Sequence, residues 1–295
     1  MVAQGAGRIT TGGPRGRSGL ATVGAACAVI LLAPTLASGQ AAATPGESFR
    51  DGFDSFDRAR WYVSDGWRNG PHQNCEWNAR AVSLRDGHLV LSWLPSQTEA
   101  GQTEAGQTEA GHTEAGQTEA GAAHCGEVQT RAVFGYGTYE ARIRTGAASG
   151  LNAAFFTYIG PVHGFAHDEI DVEILTRDTA RLSVNAFVGG IDMPGLRVPL
   201  PQRSNDGFST YAFVWEPARL RWYQNGALLH ELTGAAVPAT PQKIYLSHWG
   251  TDTLTDWMGP FAPPDGPLEM EIDWLAYTAP GSHCAFEGSL TCVLP

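Results

Sequence analysis

Residues 167–175 read HDEIDVEIL, with Glu169, Asp171 and Glu173 at alternate positions and Ile170, Val172 and Ile174 between them. An extended strand sends successive side chains to opposite faces, so the three acids share one face and the three aliphatics the other. The aliphatic face belongs in a core. The acidic face carries no lysine, and the nearest arginine in sequence is Arg177. Like charges set side by side cost stability unless they do chemistry.

Glycoside hydrolysis is the chemistry that suits them. It needs a carboxylate nucleophile and a carboxylic acid on either side of the scissile bond. Four residues of strand put the Cα atoms of Glu169 and Glu173 ~13 Å apart. On a concave strand the two long side chains can lean together to the ~5–5.5 Å that retaining enzymes use. Asp171 lies between them, placed to hydrogen-bond the nucleophile and to raise the proton affinity of the other glutamate.

Such a strand needs neighbours that build a cleft, and the same parity recurs around it. In NAAFFTYIG (152–160), Phe156 and Tyr158 share a face. In RLSVNAFVGG (181–190), Ser183, Asn185 and Phe187 lie opposite Leu182 and Val184. In KIYLSHWG (243–250), Ser247 and Trp249 lie opposite Ile244 and Leu246. Each strand has one apolar face and one that mixes aromatic and polar groups. Aromatic rings stack on pyranose faces, and amides bind hydroxyls. Further strands are expected at 88–94 after the Asp86-Gly87 turn, at 135–144, at 211–217 and at 268–278. Residues 219–232 read as a hairpin turning at Asn225-Gly226. No amphipathic helix longer than about ten residues is expected. The expected fold is all-β: a two-sheet antiparallel β-sandwich of the jelly-roll, concanavalin-like kind, with a concave substrate cleft.

The chain of 295 residues carries a formal net charge of −11. That charge repels nucleic acid and anionic membrane surfaces and favours a neutral or weakly charged substrate. Arg8, Arg15 and Arg17 precede the apolar run GLATVGAACAVILLAPTLA, so residues 1–37 read as a cleavable export signal. Cleavage there removes Cys27 and leaves Cys75, Cys125, Cys284 and Cys292. An even number in an exported chain reads as two disulfides. Of the three pairings the simplest joins Cys75 to Cys125 and Cys284 to Cys292, the latter in a tail at 281–295. With no CxxC pair, zinc is not expected. Residues 97–121 hold five copies of a Q/H-T-E-A-G pentapeptide, read as an acidic surface insertion with nothing apolar to bury.

HDEIDVEIL resembles the E-x-D-x-E signature of the glycoside hydrolases of family 16, and FGYGTYEARI, FFTYIGP and KIYLSHWGTDTLTDWMG extend the resemblance over about Phe49 to Cys292. The bacterial lichenases look closest. Within them DGWRNGPHQNCEWN, HDEID and the two-cysteine tail are most similar to exported glycanases that trim succinoglycan. The resemblance implies a family domain over 44–280, with Glu169 as nucleophile, Asp171 as its assistant and Glu173 as general acid/base. It implies a sugar cleft with Trp67, Asn69, Glu127, Phe156, Tyr158, His167, Asn185, Phe187, Trp249 and Trp257. It implies the Cys75–Cys125 bridge, no cofactor for catalysis, and a structural calcium at Asp273 with carbonyls near Gly52 and Gly87. Lichenases have tryptophan at the position of His167, arginine at Gln129 and asparagine at Ser247, departures that bear on subsite preference and on plain lichenase activity and leave the acid triad intact. The expected protein is a secreted, monomeric, retaining endo-β-glycanase acting on β-1,3-1,4-glucan or a succinoglycan-type polysaccharide, with neither nucleic acid nor membrane as partner. Its rivals are a non-catalytic sugar-binding sandwich, a transglycosylase of the same family, and a surface-interaction protein resting on the acidic repeat.

Overall fold

The computed structural model describes residues 46–96, 122–193, 195–262 and 266–294. The expected signal at 1–37 and the repeat at 97–121 lie outside the described residues. In chain order the strands begin with β1 (Phe49–Asp51), β2 (Trp61–Val63), β3 (Cys75–Trp77), β4 (Val82–Arg85), β5 (His88–Leu94) and β6 (Ala123–Thr130). The middle of the chain gives β7 (Gly137–Thr145), β8 (Leu151–Ile159), β9 (Asp168–Leu175), β10 (Arg181–Val188), β11 (Ile191–Asp192) and β12 (Leu196–Pro199). Last come β13 (Ser209–Glu216), β14 (Arg219–Gln224), β15 (Ala227–Thr233), β16 (Lys243–Gly250) and β17 (Leu268–Thr278). Among the described residues the only α-helix is the single turn α1 (Thr255–Met258).

One layer runs β12–β10–β9–β8–β16–β6–β2, antiparallel throughout. The other is built on β15–β14–β13–β7–β17–β5–β4. Strand β6 belongs to both. Its first residues pair with β5 and, in parallel, with β3, while residues 126–129 pair with β16. The expected two sheets are therefore one curled sheet folded on itself. Gly126 marks the crossing, where a Cβ would sit 2.5 Å from the Ala81 carbonyl oxygen.

Alternation builds the core between the layers. Ile170, Val172 and Ile174 of β9 are buried there with Leu182 and Val184 of β10, Phe155 of β8 and Leu246 of β16. The opposing layer contributes Tyr139, Tyr211, Phe213, Trp215 and Trp222, all fully buried. The Trp222 indole N–H donates across the core to the Asp171 carbonyl at 2.9 Å. This ties the acidic strand to the far layer. The expected turn at Asp86-Gly87 and the expected hairpin at Asn225-Gly226 both form. Asp86-Gly87 has φ of 54° and 76° and Asn225-Gly226 has 47° and 82°, the double left-handed geometry that a tight hairpin needs.

Both expected disulfides form, Cys75–Cys125 and Cys284–Cys292. The C-terminal tail is docked as well as bridged. The buried Glu140 carboxylate of β7 accepts from the Ser289 hydroxyl at 2.5 Å and the Leu290 amide at 2.7 Å.

Candidate active site

The face of β9 turned away from the core floors a cleft of about 920 Å³. Strand register arranges that floor in three rungs. Glu173 pairs with Ala154 of β8 and Ser183 of β10, and Ala154 pairs in turn with Ser247 of β16. Asp171 pairs with Phe156 and Asn185, and Phe156 with Tyr245. Glu169 pairs with Tyr158 and Phe187. The small Ala154 and Ser247 beside Glu173 leave a hollow there. Phe156 and Tyr245 stack one rung along at 4.9 Å and 19°. A hollow next to an aromatic pair is the relief a sugar chain fits.

Each acid has a distinct environment. Glu173 Oε1 accepts from the Asn152 amide at 2.9 Å. Burial pushes its carboxyl up to about 8, the Asn152 hydrogen bond opposes that, and the charge of Glu169 adds to it. Asp171 is buried, and burial, the charges of Glu169 and Glu173, and a hydrogen bond to Glu169 hold it well above the usual carboxylate range. Glu169 Oε2 lies 2.5 Å from His167 Nε2. The hydrogen bond to Glu169 raises the imidazole against the opposing effect of burial. The site thus sets two carboxyls raised above the usual carboxylate range beside a glutamate engaged by an imidazole. Pushing paired acids apart in this way is how one site supplies both an acid and a base.

The cleft brings together Trp67, Asn69, Glu127, Phe156, Tyr158, His167, Glu169, Asp171, Glu173 and Trp249 from the expected set. Buried Glu127 accepts from the Ser64 hydroxyl at 2.6 Å, and desolvation lifts it to about 7. Three expected residues stand back from the cleft wall. Asn185 donates to Asp192 at 2.7 Å, Phe187 stacks on His167 with centroids 4.6 Å apart, and Trp257 packs 6.2 Å from Trp249. Tyr62, Arg68, His72, Gln129, His163 and Tyr245 also line the cleft and were not in the expected set. Tyr245 was signalled, since it shares parity with Ser247 and Trp249. Strand β6, which delivers Glu127 and Gln129, has too short an apolar pattern to stand out.

The structure gives the expected calcium site no support. Asp273 sits in a β-bulge of β17, and its Oδ2 accepts from the Arg142 guanidinium at 2.8 Å. A carboxylate already held by a fixed cation does not fit as a ligand for Ca²⁺, which takes 6–8 oxygens. Among the described residues no group of three or more His, Cys, Asp or Glu side chains could hold a metal ion.

The family model for glycosyl hydrolases family 16 matches residues 69–276. The chain is 45% identical over 249 residues to the endo-1,3-1,4-beta-glycanase ExoK of Rhizobium meliloti (strain 1021), covering 84% of this chain and 85% of that one. It is 33% identical over 238 residues to a beta-glucanase of Paenibacillus macerans, covering 80% and 90%. A beta-1,3-1,4-glucanase (lichenase) derived from a mouse hindgut metagenome superposes with a TM-score of 0.69 at 30% identity, over 79% of this chain and 99% of that one. The Bacillus licheniformis beta-glucanase gives 0.68 at 30% identity, over 80% and 100%. The acid-bearing strand and its curved sheet thus fall inside a match that spans most of the chain, and the protein belongs to glycoside hydrolase family 16.

Proposed function

We propose that this enzyme is a retaining endo-β-glycanase that cuts β-1,3-1,4-linked glucan or a succinoglycan-type polysaccharide. Glu169 is the nucleophile, Glu173 the general acid/base and Asp171 the assistant of Glu169. A Glu169 oxygen attacks the anomeric carbon, the glycosidic C–O bond breaks, and the leaving oxygen takes the Glu173 proton. Glu173, now a carboxylate, then takes a proton from water as the water oxygen bonds to the anomeric carbon and the Glu169 ester breaks. Asp171 donates a hydrogen bond to Glu169, keeping its own proton, and so steadies the carboxylate when it leaves.

The observation that carries this reading is the geometry of one strand face: Glu169, Asp171 and Glu173 line a single cleft, Glu169 is held by His167 at 2.5 Å, and the buried Glu173, held by Asn152 at 2.9 Å, is raised by desolvation. The names of the relatives support the substrate class. The two disulfides agree with an oxidising compartment, and with an export signal at 1–37 we infer a periplasmic or extracellular enzyme. The test is reducing-end release by the mature protein on mixed-linkage glucan and on succinoglycan, with Glu169→Gln and Glu173→Gln beside it. Activity on either polymer that vanishes in both variants is expected. Wild-type turnover by Glu169→Gln, or tight oligosaccharide binding without turnover by the wild type, contradicts it.

A further inference from the structure

His167 stands at the centre of an arrangement that sugar binding does not require. Its imidazole lies flat against Phe187, with centroids 4.6 Å apart and planes 17° apart, and meets the edge of Tyr158 at 5.2 Å. Its backbone carbonyl accepts from the Gly190 amide at 2.7 Å. Gly189 and Gly190, at φ of 60° and 82°, turn the chain back over it. One ring face is therefore covered, and Nε2 is aimed at Glu169 Oε2 at 2.5 Å. With a carboxylate as the acceptor, Nε2 carries the donated proton whether the ring is neutral or charged.

We propose that His167 is a positioning residue for the nucleophile: its Nε2–H fixes the Glu169 carboxylate, and only the neutral ring permits turnover. The proposal rests on the reading of Glu169 as nucleophile. Its physical basis is the charge that develops in the reaction. The transition state is oxocarbenium-like, with positive charge on the sugar beside Glu169. A neutral imidazole holds the carboxylate without opposing that charge. An imidazolium opposes it and also stabilises the unreacted carboxylate, and a small separation at low dielectric makes both effects large.

Among the charged and titratable groups around the ring, Glu169 and Asp168 raise the imidazole while burial opposes them. Asp168, Glu169 and Asp171 lie on β9, which His167 immediately precedes, Tyr158 on β8, His163 on the turn after β8, and Asp192 on β11 opposite Phe187. Asp168 is already occupied, accepting from the Gly189 amide at 2.8 Å and the Thr240 amide at 3.2 Å. Glu169 is thus the direct partner of the ring, and it favours the imidazolium. The acid limb of activity then belongs to His167 and sits above the ordinary imidazole range. The alkaline limb belongs to Glu173, near 8.

The experiment compares His167→Gln, which keeps a donor near the place of Nε2 but cannot titrate, with His167→Phe, which keeps an aromatic partner for Phe187 but has no donor. For His167→Phe, kcat falls on the order of 10–100-fold with KM little changed, because only the orientation of the nucleophile is lost. His167→Gln recovers most of that loss at pH 7.5, and its acid limb moves to lower pH. An acid limb left in place by His167→Gln, or wild-type kcat in His167→Phe, would overturn the proposal. A second readout needs no turnover. NMR titration of the His167 ring follows the pair directly, and its midpoint falls in Glu169→Gln. An unmoved midpoint overturns the pairing itself, whereas activity in Glu169→Gln overturns the nucleophile reading, so the two failures are separable.

Discussion

A carboxyl that is walled in beside another carboxylate keeps its proton past neutrality, and that property of Glu173 can be measured directly. The alkaline limb of kcat/KM, which reports the free enzyme, is expected near pH 8. Asn152 works against the shift, so Asn152→Ala moves that limb to higher pH; a limb that stayed or moved down would contradict the assignment. The same group has a stability signature. Its ordinary value is 4.5 and its folded value about 8, so the unfolded chain releases the proton first as pH rises. Its contribution is fully present below about 4.5, declines above that, and is lost once pH passes about 8. Glu173→Gln cannot ionise and escapes that loss. Its Tm is expected to match the wild type at pH 4.5 and exceed it at pH 8, by a few °C in thermal unfolding for each kcal/mol recovered.

At the scale of the element, β9 divides function and stability between its two faces. Ile170→Ala on the core face should cost about 2–5 kcal/mol in chemical denaturation, while Glu169→Gln on the cleft face should unfold like the wild type and lose activity. Trp222→Phe removes the donor to the Asp171 carbonyl and should cost about 1–3 kcal/mol. This face-by-face alternation is what made the site legible. HDEIDVEIL, NAAFFTYIG and KIYLSHWG each declare two faces by residue type, and the strands form at 168–175, 151–159 and 243–250. Several residues outside the expected set reach the cleft by chain reversal rather than by parity. Tyr62 and His163 reach the cleft from a three-residue strand and a turn, and His72 from a loop, where there is no period to read. Trp257 sits on the single helical turn and packs on Trp249 instead of the cleft wall. Asp273 was named only through the family resemblance, and its partner Arg142, 131 residues away in sequence, is not one that local sequence shows.

For the whole molecule, the curled sheet depends on β6 crossing between layers, and the Cys75–Cys125 bridge sits at that crossing. Replacing both cysteines by serine should cost about 4 kcal/mol in the chain-entropy account, against about 2.5 for the shorter Cys284–Cys292 loop. Denaturant unfolding of the two double variants ranks them; the reverse order would contradict the account. The ladder pairs Trp93 with Cys125 and Leu94 with His124, so the ends of the connection that carries the repeat already lie opposite one another. Replacing residues 97–121 by a short turn should therefore leave kcat/KM unchanged and stability equal or slightly higher, since loop-closure entropy grows only slowly with length. Loss of activity in that deletion would favour the surface-interaction reading of the repeat instead.

Covalent labelling of the nucleophile is the most direct test of the central claim. The mature enzyme would be incubated with an epoxyalkyl β-oligoglucoside, digested, and mapped by mass spectrometry. The account predicts one label per molecule, an ester on Glu169, with activity lost in proportion to labelling. A label on Glu173 or Asp171, or inactivation without any carboxylate ester on residues 168–175, would contradict it.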